Sequence, residues 1–186
     1  YGAAGTGKTT LCGTAPSPII LSAEKGLLSL RNSKIPVLLI ENAQDLDDAL
    51  LWCKNEALKN GILTICLDSI SEITEKVLAS EKAKTKDPRA AYGEMANITI
   101  DRVKAFRDLP GLHVIMTAKQ KVAKDPITGV EKAQPTAPGQ QVGDQLPYLF
   151  DEVFNAEAKD RSGVLDELEY PDASNIINKI LATPAA

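Results

Sequence analysis

Gly2-Ala-Ala-Gly-Thr-Gly-Lys-Thr9 is the stretch that decides the fold. It fits the spacing G-x-x-x-x-G-K-[ST] in full. The glycines let the backbone curl so that successive N–H groups point inward at phosphate oxygens. A helix beginning near Lys8 adds its positive end to the same concavity. Lys8 then offers a point charge to the β- and γ-phosphates of a nucleoside triphosphate, and the Thr9 hydroxyl is a ligand for Mg²⁺. The phosphate loop is therefore expected to comprise Gly2, Ala3, Ala4, Gly5, Thr6, Gly7, Lys8, Thr9 and Thr10, with ATP and Mg²⁺ as its occupants. Such a loop follows a strand, normally the central one of its sheet. Only Tyr1 precedes it, so a truncated first strand is expected.

Downstream, short apolar runs alternate with helical periodicity. Pro18–Ser22 (PIILS), Lys34–Glu41 (KIPVLLIE), Ile62–Leu67 (ILTICL) and Leu112–Thr117 (LHVIMT) read as buried strands. Asn42 is placed to cap a helix whose Leu46, Ala49, Leu50, Cys53 and Ala57 recur at spacings of three and four. Gly61 ends that helix. Further helices are expected over about 71–82 and 90–107, with a charged loop from Lys84 to Arg89 between them. Strands that are apolar throughout and separated by helices indicate a mostly parallel sheet covered on both faces. The stretch 118–147 carries Pro126, Pro135, Pro138 and Pro147 and no sustained period, which predicts a long mobile loop. Beyond it, 151–157 and 164–169 read as an antiparallel edge hairpin and about 173–181 as a last helix. The expectation is one α/β domain over 1–186.

Two strand ends carry chemistry. Asp68 follows the Ile62–Leu67 run, where a carboxylate holds the Mg²⁺ shell beside a phosphate loop. The alternative is a helix cap, a job that Ser69 can share, but the phosphate loop upstream favours the metal role. Glu24 follows Pro18–Ser22, the first strand after the loop, and faces the same crevice. There it can orient or deprotonate an attacking water, or simply begin a helix at the surface. Thr117, Lys119 and Gln120 end or follow the fourth strand and are candidates to contact the γ-phosphate or its water.

The whole-chain numbers exclude several classes. With 186 residues, 44% hydrophobic and 25% charged, the chain can bury an ordinary core. No apolar run approaches the ~18 residues of a membrane span. A net charge of −4 excludes a uniformly basic nucleic-acid surface, so any DNA contact must come from local basic loops. Cys12, Cys53 and Cys66 form no CxxC and read as reduced core residues of a cytoplasmic protein. His113 is the only histidine, which removes a His-based catalytic triad.

Taken in order, GAAGTGKTT, LSAEKGLLSL, ICLDSISEI, AAYGEMANITIDRVKAFRDLPGLHVIMTAKQK, LPYLFDEVF and AKDRSG resemble the RecA-like P-loop ATPases, and most of all the phage nucleotide-binding family that includes single-strand annealing proteins. The resemblance implies a RecA-like fold, with Glu24 as catalytic base and a γ-phosphate sensor after the Asp68 strand. That family usually carries Gln in the sensor region, where this chain reads MTAKQK. It also implies that Lys159 and Arg161, as a basic-x-basic pair, reach into a neighbouring subunit's ATP. A homo-oligomer acting on single-stranded DNA in recombination or annealing follows, in a bacterial host's cytoplasm. Lysine-bearing segments suited to DNA phosphates run from Lys82 to Arg89 and from Lys119 to Lys132. A small-molecule or nucleotide kinase is the first alternative, although the segment from Lys119 to Pro147 lacks the arginines of a phosphate-closing lid. A non-hydrolysing nucleotide switch is the second.

Overall fold

Side chains on Pro18–Ser22 (β1) and Thr64–Asp68 (β3) alternate between two apolar layers. Ile19, Leu21, Ile65 and Leu67 point into the larger core, while Ile20 and Cys66 point to the other face and pack with Cys12. Period-two alternation with both faces buried marks an interior strand of a sheet covered on both sides. The computed structural model describes residues 1–24, 30, 33–125 and 127–157, and those residues build that arrangement. Val37–Leu39 (β2) and His113–Met116 (β4) complete a four-stranded parallel sheet of order β2-β1-β3-β4. The short helix Lys8–Gly13 (α1) covers the Cys66 face.

The larger core is closed by Ala43–Glu56 (α2), Ile70–Lys84 (α3) and Pro88–Arg107 (α4), which bury Leu46, Ile73, Val77, Met95 and Phe106 among others. The starts of α2 and α3 are capped where the sequence predicts, and Asp87 adds a cap to α4 that the sequence reading did not name. Asn42 Oδ1 accepts from Asp45 N at 3.0 Å, Ser69 Oγ from Glu72 N at 3.3 Å, and Asp87 Oδ1 from Arg89 N at 2.9 Å. Arg102 on α4 grips Asp47 on α2 through one guanidinium edge, Nε donating to Oδ1 and Nη2 to Oδ2. The expected loop between α3 and α4 shrinks to Thr85–Asp87, because Lys82 and Lys84 remain helical and Pro88 opens α4. Pro at a first helical position loses no hydrogen bond.

The expectation of a mobile loop over 118–147 is corrected. Lys119–Lys124 (β5) and Glu131–Thr136 (β6) form an antiparallel hairpin, followed by Gln140–Gln145 (α5) and the single turn Leu146–Leu149. Apart from Pro135, no residue of either hairpin strand is fully buried, so they show no buried alternation. The fold is thus α/β, a mostly parallel sheet with an antiparallel hairpin, which among the described residues lies at 119–136. Of the expected strand 151–157, only Ala156 makes a bridge, parallel to Gly2. The expected strand 164–169 and helix 173–181 lie outside the described residues. Among the described residues, no helix is long and apolar enough to cross a membrane.

Gly2 also bridges Lys119 in parallel, so Tyr1 and Gly2 run between β4's continuation and the segment ending at Ala156. Gly2 N donates to Ala118 O at 3.2 Å, and Ala156 N donates to Tyr1 O at 2.7 Å. The phosphate loop is thereby hung from the sheet's C-terminal end.

Candidate functional site

Asp68 ends β3 on the same face as Cys66, since side chains two apart on a strand point the same way. That face is the one α1 covers. Thr9, on the first turn of α1, donates its hydroxyl to Asp68 Oδ2 at 2.6 Å. Thr117, just past β4, donates its hydroxyl to Asp68 Oδ1 at 2.5 Å. Both carboxylate oxygens are therefore engaged, and the carboxylate is buried with only 6% of the residue exposed. The register Ser22↔Asp68 sets the two strand ends level. Glu24, two residues beyond Ser22, then reaches the same crevice; its N–H is held by Ser22 Oγ at 3.1 Å.

Loop shape follows from its glycines. Gly7 sits at φ +79°, a conformation that side chains disfavour, and α1 starts directly after it. Gly2 is constrained by space, since an added Cβ would lie 2.6 Å from Ala156 O and 2.7 Å from Thr6 Oγ1. The Thr6 hydroxyl donates to Ala3 O at 2.9 Å and tightens the turn. Lys8 Nζ folds back over the loop and donates to Gly2 O at 2.9 Å and Ala3 O at 2.6 Å. Burial holds the Lys8 ammonium below the ordinary lysine pKa, while the carboxylates of Asp68 and Glu24 pull it up.

These groups surround a cavity of about 440 Å³. Gly2, Ala3, Ala4, Gly5, Lys8, Thr9, Glu24 and Asp68 line it, joined by Ser69, Lys119 and Gln120. Thr6, Gly7 and Thr10 do not line it; Gly7 and Thr6 shape the loop, and Thr10 is half-buried on α1. Thr117 is buried behind Asp68, so its hydroxyl orients the carboxylate and does not face the cavity. Lys159 and Arg161 lie outside the described residues.

One anchoring residue carried no signal in the sequence. Ser71, buried on the first turn of α3, accepts from Lys119 N at 2.8 Å and donates to Thr136 O at 2.6 Å. A serine after an N-cap reads as an ordinary helix-start residue, and only the hairpin gives it a partner.

A cavity lined by a glycine loop, a lysine and a hydroxyl–carboxylate pair is the architecture of a P-loop site. A family profile described as an AAA domain matches residues 1–179. The chain belongs to this AAA domain family. The match begins at the phosphate loop and takes in the whole α/β unit with its hairpin. No curated protein matches the chain in sequence. Among solved structures, it is similar to the KaiC-like protein PH0186 from the hyperthermophilic archaeon Pyrococcus horikoshii OT3, with 14% identity over 75% of this chain and 84% of that one and a TM-score of 0.35. For an AAA-domain chain, the oxygen-rich corner formed by Thr9 and Asp68 is the part that can take a hard cation. Among the described residues, no group of three or more His, Cys, Asp or Glu could hold a metal. A hard cation held by Thr9 and Asp68 would need the rest of its oxygen shell from other groups.

Proposed function

We propose that this chain binds ATP with Mg²⁺ and hydrolyses it, as a RecA-like ATPase of phage type that acts on single-stranded DNA. The observation that carries the nucleotide reading is the meeting of Thr9 and Asp68 at the rim of a cavity floored by the phosphate loop. Thr9 and Asp68 fit Mg²⁺ by donor type, and there the ion would screen phosphate charge and fix the phosphate oxygens.

The chain's own residues do the rest. Main-chain N–H groups from Ala3 to Lys8 surround the phosphate oxygens. Lys8 exchanges Gly2 O and Ala3 O for the β- and γ-phosphates, replacing neutral acceptors by charged ones, which make stronger hydrogen bonds. Thr117 holds the Asp68 carboxylate in one orientation. Glu24 accepts the proton of a water as its oxygen bonds to the γ-phosphorus. The bond from that phosphorus to the bridging oxygen breaks, and its electron pair leaves with ADP. Glu24 stands on the cavity wall opposite no histidine, so the carboxylate is the available base.

The DNA reading rests on the hairpin. β5 and β6 present Lys119, Lys121, Lys124 and Lys132 on an arm rooted at the cavity rim. Mobile ammonium groups suit phosphate contact without sequence preference. Lys159 and Arg161 would complete a neighbour's site in an oligomer.

Steady-state ATP turnover with and without single-stranded DNA tests the proposal. Turnover that rises with DNA and protein concentration, and collapses in Lys8→Ala and Glu24→Gln, is expected. Glu24→Gln should retain ATP binding. An unchanged rate in Glu24→Gln removes the base assignment, and ADP formation that requires an added acceptor points to a kinase.

A further inference from the structure

Among the described residues six large apolar side chains are more than half exposed, and five of them form two patches. Val122, Ile127 and Val130 lie toward the tip of the β5–β6 hairpin. That tip is held in shape. Asp125 Oδ1 accepts from Ile127 N and Thr128 N, each at 2.9 Å, and Asp125 N donates to Val130 O at 2.9 Å. Ile127 is thereby presented, 93% exposed, at the end of an arm whose strands span about 20 Å. Leu51 and Leu58 form the second patch. Asp48, Leu51 and Asn55 follow at spacings of three and four on the open side of α2, and Leu58 continues the line in the turn after it.

The two patches belong to opposite ends of the sheet. β3 runs from Thr64 toward Asp68 and the cavity, and Leu58 lies near its start, where Ile62 N donates to Ala57 O at 3.0 Å. The hairpin leaves at Lys119, past the far end of β4. Their charges are opposite as well. Segment 41–60 carries five carboxylates against two lysines, and segment 119–136 four lysines against two carboxylates. Alternation along the hairpin strands puts Val122 and Lys124 on one face and Lys121 and Lys132 on the other. The apolar face can be covered while Lys121 and Lys132 stay open to a polyanion.

We propose that the hairpin of one copy docks on α2 of a second copy, with Val122 and Ile127 covering Leu51 and Leu58 and Lys124 meeting Asp48. Burial of the apolar side chains supplies the attraction, and the opposite charges set the orientation. Two different surfaces meet, so the contact runs head to tail and repeats from copy to copy. None of the five apolar residues lines the cavity, so the contact is separate from any that passes through the nucleotide site. It needs neither nucleotide nor DNA. Patches this small support a weak, concentration-dependent contact.

Sedimentation equilibrium of the full chain without nucleotide, across protein concentration, tests the contact. The weight-average mass of the wild type should climb past that of two copies. Ile127→Ser spoils only the hairpin and Leu51→Lys only the α2 patch, so each variant alone should stay at one copy. Both changes are at exposed positions, and thermal melts matching the wild type confirm that the fold is kept. An equal mixture of the two variants should reach two copies and stop, because each supplies the surface that the other lacks. Wild type that stays at one copy at every concentration overturns the proposal. So does either variant associating like the wild type, or a mixture that stays at one copy. The outcome is independent of ATP binding, so its failure leaves the nucleotide reading standing.

Discussion

The Thr9 hydroxyl and the Asp68 carboxylate, 59 residues apart in the chain, meet at 2.6 Å. That contact ties the first turn of α1 to the end of β3. It also gathers two hard oxygen donors beside the phosphate loop. Thr117 takes the other carboxylate oxygen, so Asp68 is held from both sides.

Asp68→Asn keeps the shape and removes the charge. Mg²⁺-dependent turnover should fall by about 10²- to 10³-fold, the usual cost of losing one electrostatic element of a catalytic site. Thr117→Val should lower stability by about 1 kcal/mol, a typical net hydrogen-bond contribution. Urea unfolding read alongside turnover separates the two effects. A Thr117→Val chain of unchanged stability and rate would remove the orienting role.

Gly2→Ala forces a methyl against Ala156 O and the Thr6 hydroxyl. Overpacking against main chain costs about 1–3 kcal/mol. The melting temperature should drop, and nucleotide affinity should drop with it, because the loop moves. Thermal melts with and without Mg-ATP check both, and a neutral Gly2→Ala contradicts the packing.

Lys8 gives a pH dependence with a definite sign. Burial lowers its folded pKa below the ordinary lysine value of 10.5, so the unfolded chain holds that proton more tightly. The nucleotide-free chain should therefore gain stability as pH rises from the lowered folded value toward 10.5. ATP affinity should run the opposite way, weakening over the same window as Lys8 loses its charge. Calorimetry across alkaline pH, against Lys8→Arg as the permanently charged control, reads the slope.

The thiols should be silent in the native chain. Cys12, Cys53 and Cys66 are all buried. Burial pushes the Cys53 thiol up to about 11, and a hydrogen bond from the Cys12 thiol to the Cys66 side chain, with burial, raises Cys12. With a pKa of about 11, only about one Cys53 in a thousand is thiolate at pH 8. Iodoacetamide should label none of the three before urea unfolds the chain, and native labelling of Cys12 or Cys66 would show that the layer under the loop opens.

The hairpin lysines should carry a salt-dependent DNA affinity. Replacing Lys121, Lys124 and Lys132 by Ala should flatten the slope of log affinity against log salt by about 2, at roughly 0.7 per lost contact on single strands. Basal ATP turnover should stay. An unchanged slope removes the hairpin from the DNA contact.

Where side chains report burial, the sequence was readable. Pro18–Ser22 is apolar because both its faces are covered, and its bounds agree residue for residue. Glu24 and Asp68 could be placed because a strand's end fixes where the next polar group emerges. The hairpin was hidden for the converse reason. Lys119-Gln-Lys-Val-Ala-Lys124 buries no residue fully, and Pro135 stands inside β6, where only an edge strand tolerates it. Tyr1 Oη holding Ala133 O at 3.0 Å and Ser71 clamping Thr136 are long-range contacts that no local pattern encodes.

Equilibrium titration of the full chain with Mg-ATP, repeated in EDTA and with Lys8→Ala, tests the central claim most directly. Saturable micromolar binding that needs Mg²⁺ and is lost in Lys8→Ala is the predicted result. No binding at millimolar nucleotide, or equal affinity in Lys8→Ala, would contradict it.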